Sequence, residues 1–334
     1  MQLDHRLSRK VLAGAAAALT LLGVADSAQA QTTALIRPPE PGETIAIPTA
    51  PTATEPQAYP TQSVTFQSKL SNESKDQLEG WIWRPANLDP FARVPLVIVA
   101  HGHAGAGTYA SPSKQFRTLG ALLTSHGYGM MLVNSFSASR NAYIVATYGE
   151  AYNILNGLDD DPKSPLRTPE TSDHLVRPWD VVGAAEWVRE DNLSWVDPGK
   201  LIAVGYSHGG TAVLAAAFSN HPINLQNPTG GGRLFSKIFA TYPGCGMGSL
   251  NNYKNSGAVT PTAVGAGTAD PLSTNCTTRY TQSAAAAAAD PALFTLEYRL
   301  YADAEHTWES TSGAANLATK ADWRAQILAV LDTF

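Results

Sequence analysis

Cysteine is nearly absent from the chain, with two in 334 residues. Two cysteines cannot make a structural zinc site alone, and no histidine stands at ligand spacing from either, so a zinc-finger type of module is excluded. Charge of one sign is lacking as well: 23 basic residues against 28 acidic ones leave a formal net charge of -5. A mildly acidic chain has no electrostatic footprint for nucleic acid. Long apolar runs are missing too. The run VLAGAAAALTLLGVA, residues 11 to 25, falls short of the roughly 20 residues that a membrane-crossing helix requires.

That short run follows Arg6, Arg9 and Lys10 and precedes Ala28-Gln29-Ala30, the three parts of a cleavable export signal. The mature chain is therefore expected to start at Gln31, in the periplasm or outside the cell, with no membrane attachment once residues 1 to 30 are gone. Arg6 and Arg9 are not adjacent, so a twin-arginine route is not indicated. In an oxidising compartment the even pair Cys245 and Cys276 is a disulfide candidate. Residues 31 to 60 hold seven prolines and six threonines, the composition of a linker or a loosely attached arm. The remainder, 61 to 334, is expected to form one α/β domain with a polar insertion at about 141 to 176.

Within that domain, short β-type runs alternate with helical ones. This is the pattern of a mostly parallel sheet with helices on both faces. The runs VTFQS and EGWIWRP predict an opening antiparallel pair. PLVIVAHG, MMLVNSF, LIAVGYS, KIFATY, TAVGAG and LFTLEYRLY predict six more strands, and the first of these is apolar throughout, as a strand buried on both faces should be. Ser111-Pro112 reads as a helix start, and a second helix is expected to open near Pro178. Further helices are expected over 208 to 219, 277 to 289 and 313 to 333. The alanine run in the fourth is read as a small-faced helix packed close to the sheet.

The absence that carries most meaning is of acids: none stands between residues 208 and 269. It matters because VGYSHGG, residues 204 to 210, places Ser207 between Gly205 and Gly209, after a buried strand and before a helix. A serine hydroxyl attacks only with a base in reach and a third group orienting that base. In a strand-serine-helix elbow those partners follow in the order acid, then histidine. Beyond the elbow itself the chain offers His221 and His306. His221 lies in SNHPIN, expected as a loop just past the helix, and precedes every acid that follows Ser207, which leaves His306, after the last strand, as the base. Asp270 lies just past TAVGAG, at the carboxyl end of a strand where such sites form, and is the preferred acid. Asp303 is its rival on the histidine's own loop.

Charge developing on a carbonyl oxygen needs fixed donors. The backbone amide of His208 is the expected first donor, and that of His103, in the glycine-rich HGHAGAG after the third strand, the second. The imidazoles of His101, His103 and His208 are assigned buried hydrogen-bonding roles, since no carboxylate or cysteine lies at ligand spacing to make a metal site. No cofactor is implied. Asp159, Asp160 and Asp161 lack the spacing and glycine of a calcium loop and are read as solvated charge. Tyr143, Tyr148 and Tyr152 are open to either a pocket wall or a surface excursion.

The ordered set HGHAG, GYSHGG, GTAD and EH resembles the α/β-hydrolase fold, and NSFSASR, RPWD and TYPGCG resemble its dienelactone hydrolase branch. The resemblance spans about residues 62 to 334. It implies Ser207, Asp270 and His306 as a triad, with Arg140, Arg177 and Asp180 at recurrent positions read as ion pairing around a helix start. The founding dienelactone hydrolases use cysteine where this chain has Ser207, which turns the expectation from dienelactone toward esters in general. The expected activity is that of a carboxylic ester hydrolase acting on a small-molecule or polymeric ester or a lactone. A peptidase or polyester hydrolase on the same triad, and a non-catalytic binding protein of the same fold, are the competing readings.

Overall fold

Five consecutive apolar residues, Leu96 to Ala100, leave their strand no polar face to show to water, so it belongs at the centre of a sheet covered on both sides. A computed structural model, which describes residues 55–69, 77–138, 173–246 and 255–334, bears this out. Eight strands form one sheet: β1 Gln62–Gln67, β2 Gln77–Trp83, β3 Val94–Ala100, β4 Gly129–Asn134, β5 Val196–Tyr206, β6 Lys237–Thr241, β7 Thr262–Gly267 and β8 Glu297–Tyr301. Their spatial order is β1-β2-β4-β3-β5-β6-β7-β8. β2 runs antiparallel to both β1 and β4, and every other pairing is parallel.

The helices among the described residues are α1 Lys114–Ser125, α2 Asp173–Trp187, α3 His208–Ala217, α4 Pro222–Gln226, α5 Cys276–Ala289 and α6 Ala314–Leu331. Alternate side chains of the central strands feed two separate cores. Leu96, Ile98 and Ala203 pack with Val181, Val213 and Leu214 of α2 and α3. Val97, Val99, Ile202 and Val204 pack with Phe116 of α1 and Trp323 and Ile327 of α6. This two-sided burial is what makes β3 and the second half of β5, from Leu201 on, read as apolar runs.

Four local expectations need correction. Ser111-Pro112 does not open α1. It pairs with Gly107–Thr108 in a two-residue ladder, because Gly107 at φ 85° reverses the chain and the Ser113 amide then donates to Ala106 O at 3.0 Å. The helix begins one residue later, at Lys114. Helix α2 begins at Asp173 and carries Pro178 inside it. Pro178 is the sixth residue of the helix, past the first turn, so its missing N–H costs α2 one i to i-4 bond. β8 starts only at Glu297: Phe294 exchanges both of its backbone hydrogen bonds with Ala258, at 2.8 and 2.9 Å, and so leaves the sheet direction. In the stretch SNHPIN, expected as a loop, Pro222 starts α4 and the His221 ring accepts from the Ile223 amide at 3.1 Å. A histidine serving as the cap is not among the usual helix-start signals.

The end of the proline- and threonine-rich stretch, residues 55 to 60, has no helix or strand, yet it is tied to the fold. Ala58 N donates to Arg117 O at 3.0 Å, and Trp83 Nε1 donates to Ala58 O at 3.0 Å. The expected export signal, residues 31 to 54, Arg140 and most of the expected insertion at 141 to 176, with its tyrosines and its aspartate run, lie outside the described residues. Among those described, no helix is long and apolar enough to cross a membrane.

Candidate active site

β5 ends at Tyr206 and α3 begins at His208, so a single residue must reverse the chain between them. Ser207 does so at φ 52°, ψ -117°. A non-glycine residue with positive φ costs roughly 1–3 kcal/mol and persists only where its surroundings fix it. Those surroundings are backbone. A β-carbon on Gly205 would lie 2.0 Å from Gly209 O, and one on Gly209 would lie 2.2 Å from Ala100 O. The Ser207 amide is held by Thr241 O at 2.9 Å, at the end of the neighbouring strand. The small residues of VGYSHGG are thus required by close main-chain approach, and the approach is what lifts the serine side chain clear of the sheet.

Three strands' carboxyl ends then converge. His306, on the loop after β8, presents Nε2 2.8 Å from Ser207 Oγ. Its Nδ1 lies 2.9 Å from Asp270 Oδ2, beyond the end of β7. An ionised carboxylate only accepts, so Nδ1 carries the proton and Nε2 is left as acceptor for the serine hydroxyl. The Asp270 side chain is fully buried, and its other oxygen accepts from the Leu272 amide at 2.8 Å. Asp303 is exposed and on the outer side of the loop, where its own amide donates to Thr268 Oγ1 at 2.8 Å. His306 meets Asp270 and not this rival. His221 is buried away beside α4, where desolvation pushes its pKa down to about 3.

His103 and His208 both border the same cleft as Ser207 and His306, a space of about 860 Å³ that also takes in Lys114, Tyr206, Tyr242 and Leu272. His208 opens α3, where the first amides of a helix have no intrahelical acceptor. The loop carrying His103 turns through Gly105 at φ 82°. The two imidazoles stand edge to face, their Nδ1 atoms 3.3 Å apart. His101 is fully buried, and its backbone carbonyl accepts from the Arg177 guanidinium. Asp180, the eighth residue of α2, accepts from Ser68 Oγ at 2.8 Å. Among the described residues no group of three or more histidine, cysteine or carboxylate side chains is arranged to hold a metal ion.

Cys245 and Cys276 form a disulfide, closing a 31-residue separation with Cα atoms 5.0 Å apart. Cys276 opens α5 six residues beyond Asp270, so the bridge fastens the far end of the aspartate's turn to the segment after β6. In the chain-entropy model a loop of that length contributes roughly 3–4 kcal/mol.

Sequence reasoning missed the packing behind His306. Tyr242 lies edge-on to the His306 ring at 5.1 Å and to Trp308 at 4.8 Å. Burial pushes the Tyr242 and Tyr206 hydroxyls well above the usual tyrosine range, with Glu309 adding to the effect. Both tyrosines are therefore neutral at any working pH. Glu309 itself is buried in an ion pair with Arg324. No spacing rule predicts that two charges on a loop and a helix will be buried together, so nothing in the sequence marked them.

A sheet of this order, with a strained serine between its fifth strand and the next helix, is the α/β-hydrolase fold. The chain has that fold. Among solved structures it is similar to a protein from Klebsiella pneumoniae assigned as a dienelactone hydrolase, at 18% identity over 82% of this chain and 100% of the other, with a TM-score of 0.51. It is equally similar to esterase 2 of Thermogutta terrifontis, at 17% identity over 81% of this chain and 92% of that one, TM-score 0.51. Porphyromonas gingivalis dipeptidyl peptidase 4 also matches, at 14% identity and TM-score 0.51, but the match covers 36% of that longer chain. No family model and no curated protein sequence matches the chain.

Proposed function

We propose that this protein is a serine hydrolase that cleaves a carboxylic ester or lactone through an acyl-enzyme. The observation that carries the reading is the unbroken hydrogen-bond chain from Ser207 Oγ to His306 to Asp270, at 2.8 and 2.9 Å. In this mechanism His306 Nε2 takes the hydroxyl proton as Oγ attacks the carbonyl carbon, and Asp270 stabilises the imidazolium that results. The amides of His208 and His103 receive the oxyanion. His306 then gives its proton to the departing alcohol, and water enters by the same steps in reverse to release the acid. Two kinds of solved neighbour, one assigned as a dienelactone hydrolase and one an esterase, support an ester as substrate. The match to the peptidase neighbour covers only 36% of that chain, so a peptide substrate is the weaker reading. Export is part of the proposal, supported by the disulfide and by the signal-like first 30 residues.

The test pairs a fluorophosphonate probe with short and long p-nitrophenyl esters, on the parent protein and on Ser207→Ala. Loss of labelling and of turnover in the variant is expected. Hydrolysis that survives the substitution removes Ser207 from the chemistry.

A further inference from the structure

His306 reaches Ser207 from a loop, and a loop position needs an anchor. The residue after it, Thr307, sits at φ 66°, a conformation that β-branched residues avoid. Such a backbone persists only where the surroundings over-determine it. The next residues supply that constraint. Trp308 is fully buried between Tyr242 and Tyr301, and Ser310 and Thr311 turn back to donate to Thr307 O at 2.9 and 3.1 Å. Glu309, between them, has a side chain with no exposed surface.

That buried carboxylate is gripped by one guanidinium. Arg324 Nε donates to Glu309 at 3.0 and 3.2 Å and Nη2 donates at 2.6 Å. Arg324 is itself fixed from two other places: Nη2 donates to Thr118 Oγ1 on α1 at 3.0 Å, and Nη1 to Glu55 at 3.0 Å. Glu55 also accepts from Lys320 at 2.8 Å, so two cations and two anions balance. The planar fork of arginine gives such a contact direction as well as strength, which a lysine would not.

We propose that Glu309, held by Arg324, is a positioning residue for His306: it fixes the strained turn at Thr307 and so sets the distance from Nε2 to Ser207. A second observation points to the same charge. Tyr206, next to Ser207 in the chain, has a buried hydroxyl with no hydrogen-bond partner among the described residues; burial is the main cause of its raised pKa, and Glu309 and Arg324 act on it next, with opposite signs. The charge of that one ion pair is thus felt both on the histidine loop and beside the elbow. The inference relies on the hydrolase reading above.

Its test compares Glu309→Gln, Glu309→Asp and Arg324→Lys with the parent, using one p-nitrophenyl ester and counting active sites by fluorophosphonate labelling to completion. For Glu309→Gln we expect kcat per labelled site to fall at least tenfold with KM within twofold. Glu309→Asp keeps the charge and should recover part of the loss, and Arg324→Lys should fall severalfold. A kcat per site within twofold of the parent in all the variants that fold overturns the proposal, even if their melting temperatures drop, because a purely structural pair changes how much protein is folded and not how fast each site turns over. Should Glu309→Gln not fold, the other two decide by the same criterion. If the parent shows no Ser207-dependent turnover, the hydrolase reading has failed and this one falls with it; parent turnover with unaffected variants defeats this one alone.

Discussion

The amide of Ala269 donates to the carbonyl of Ala304 at 3.1 Å, so the turn that bears Asp270 and the loop that bears His306 share a backbone hydrogen bond. The contact is close throughout: a β-carbon on Gly267 would lie 1.9 Å from the same carbonyl oxygen. Asp270 and His306 are therefore located relative to each other by main chain, before either side chain is placed.

A direct consequence concerns the choice of acid. Replacing Asp270 by Asn removes the acceptor that keeps the Nδ1 proton in place, and the wrong tautomer then faces Ser207. Turnover should fall by about 10³–10⁴-fold. Asp303→Asn, on the exposed side of the loop, should stay within about twofold of the parent. Steady-state rates on one ester compare the two, and a large loss confined to Asp303→Asn would reverse the assignment.

The disulfide makes a separate claim on stability. Cys245→Ser/Cys276→Ser is expected to lose about 2–5 kcal/mol, since a native bridge of this loop length restrains the unfolded chain. Urea unfolding followed by tryptophan fluorescence measures it, and an unchanged midpoint would show that the bridge contributes nothing.

Acid should destabilise the fold through His221. Its pKa is pushed down to about 3 by burial, against about 6.5 when unfolded. Between those values the unfolded chain binds a proton that the native state does not, so this contribution is intact above about pH 6.5 and is lost as the pH falls toward 3. The slope is about 1.4 kcal/mol per pH unit. His221→Gln, which cannot titrate, should flatten the dependence of the urea midpoint between pH 6 and 4. An unaltered slope would mean that other groups govern acid unfolding.

Most of this architecture was legible in the chain. PLVIVA and LIAVG announced central strands because a residue buried on either face must be apolar. The geometry of the candidate site was legible for a different reason: the 62-residue stretch from 208 to 269 without an acid left few partners for Ser207, and strand ends ranked those that remained. Pro178 and Ser111-Pro112 misled because local rules treat proline as a boundary, whereas α2 absorbs one and a two-residue ladder uses the other. Glu309 and Arg324 were invisible, since their burial depends on where the loop and α6 meet.

The backbone at Ser207 has one more implication. In the proposed mechanism the residue there carries a nucleophilic atom directly on its β-carbon, and at φ 52° a branch at that carbon would add the strain that Thr307 bears at φ 66°. Serine supplies the oxygen and avoids the branch, so the main chain favours it over threonine at this position.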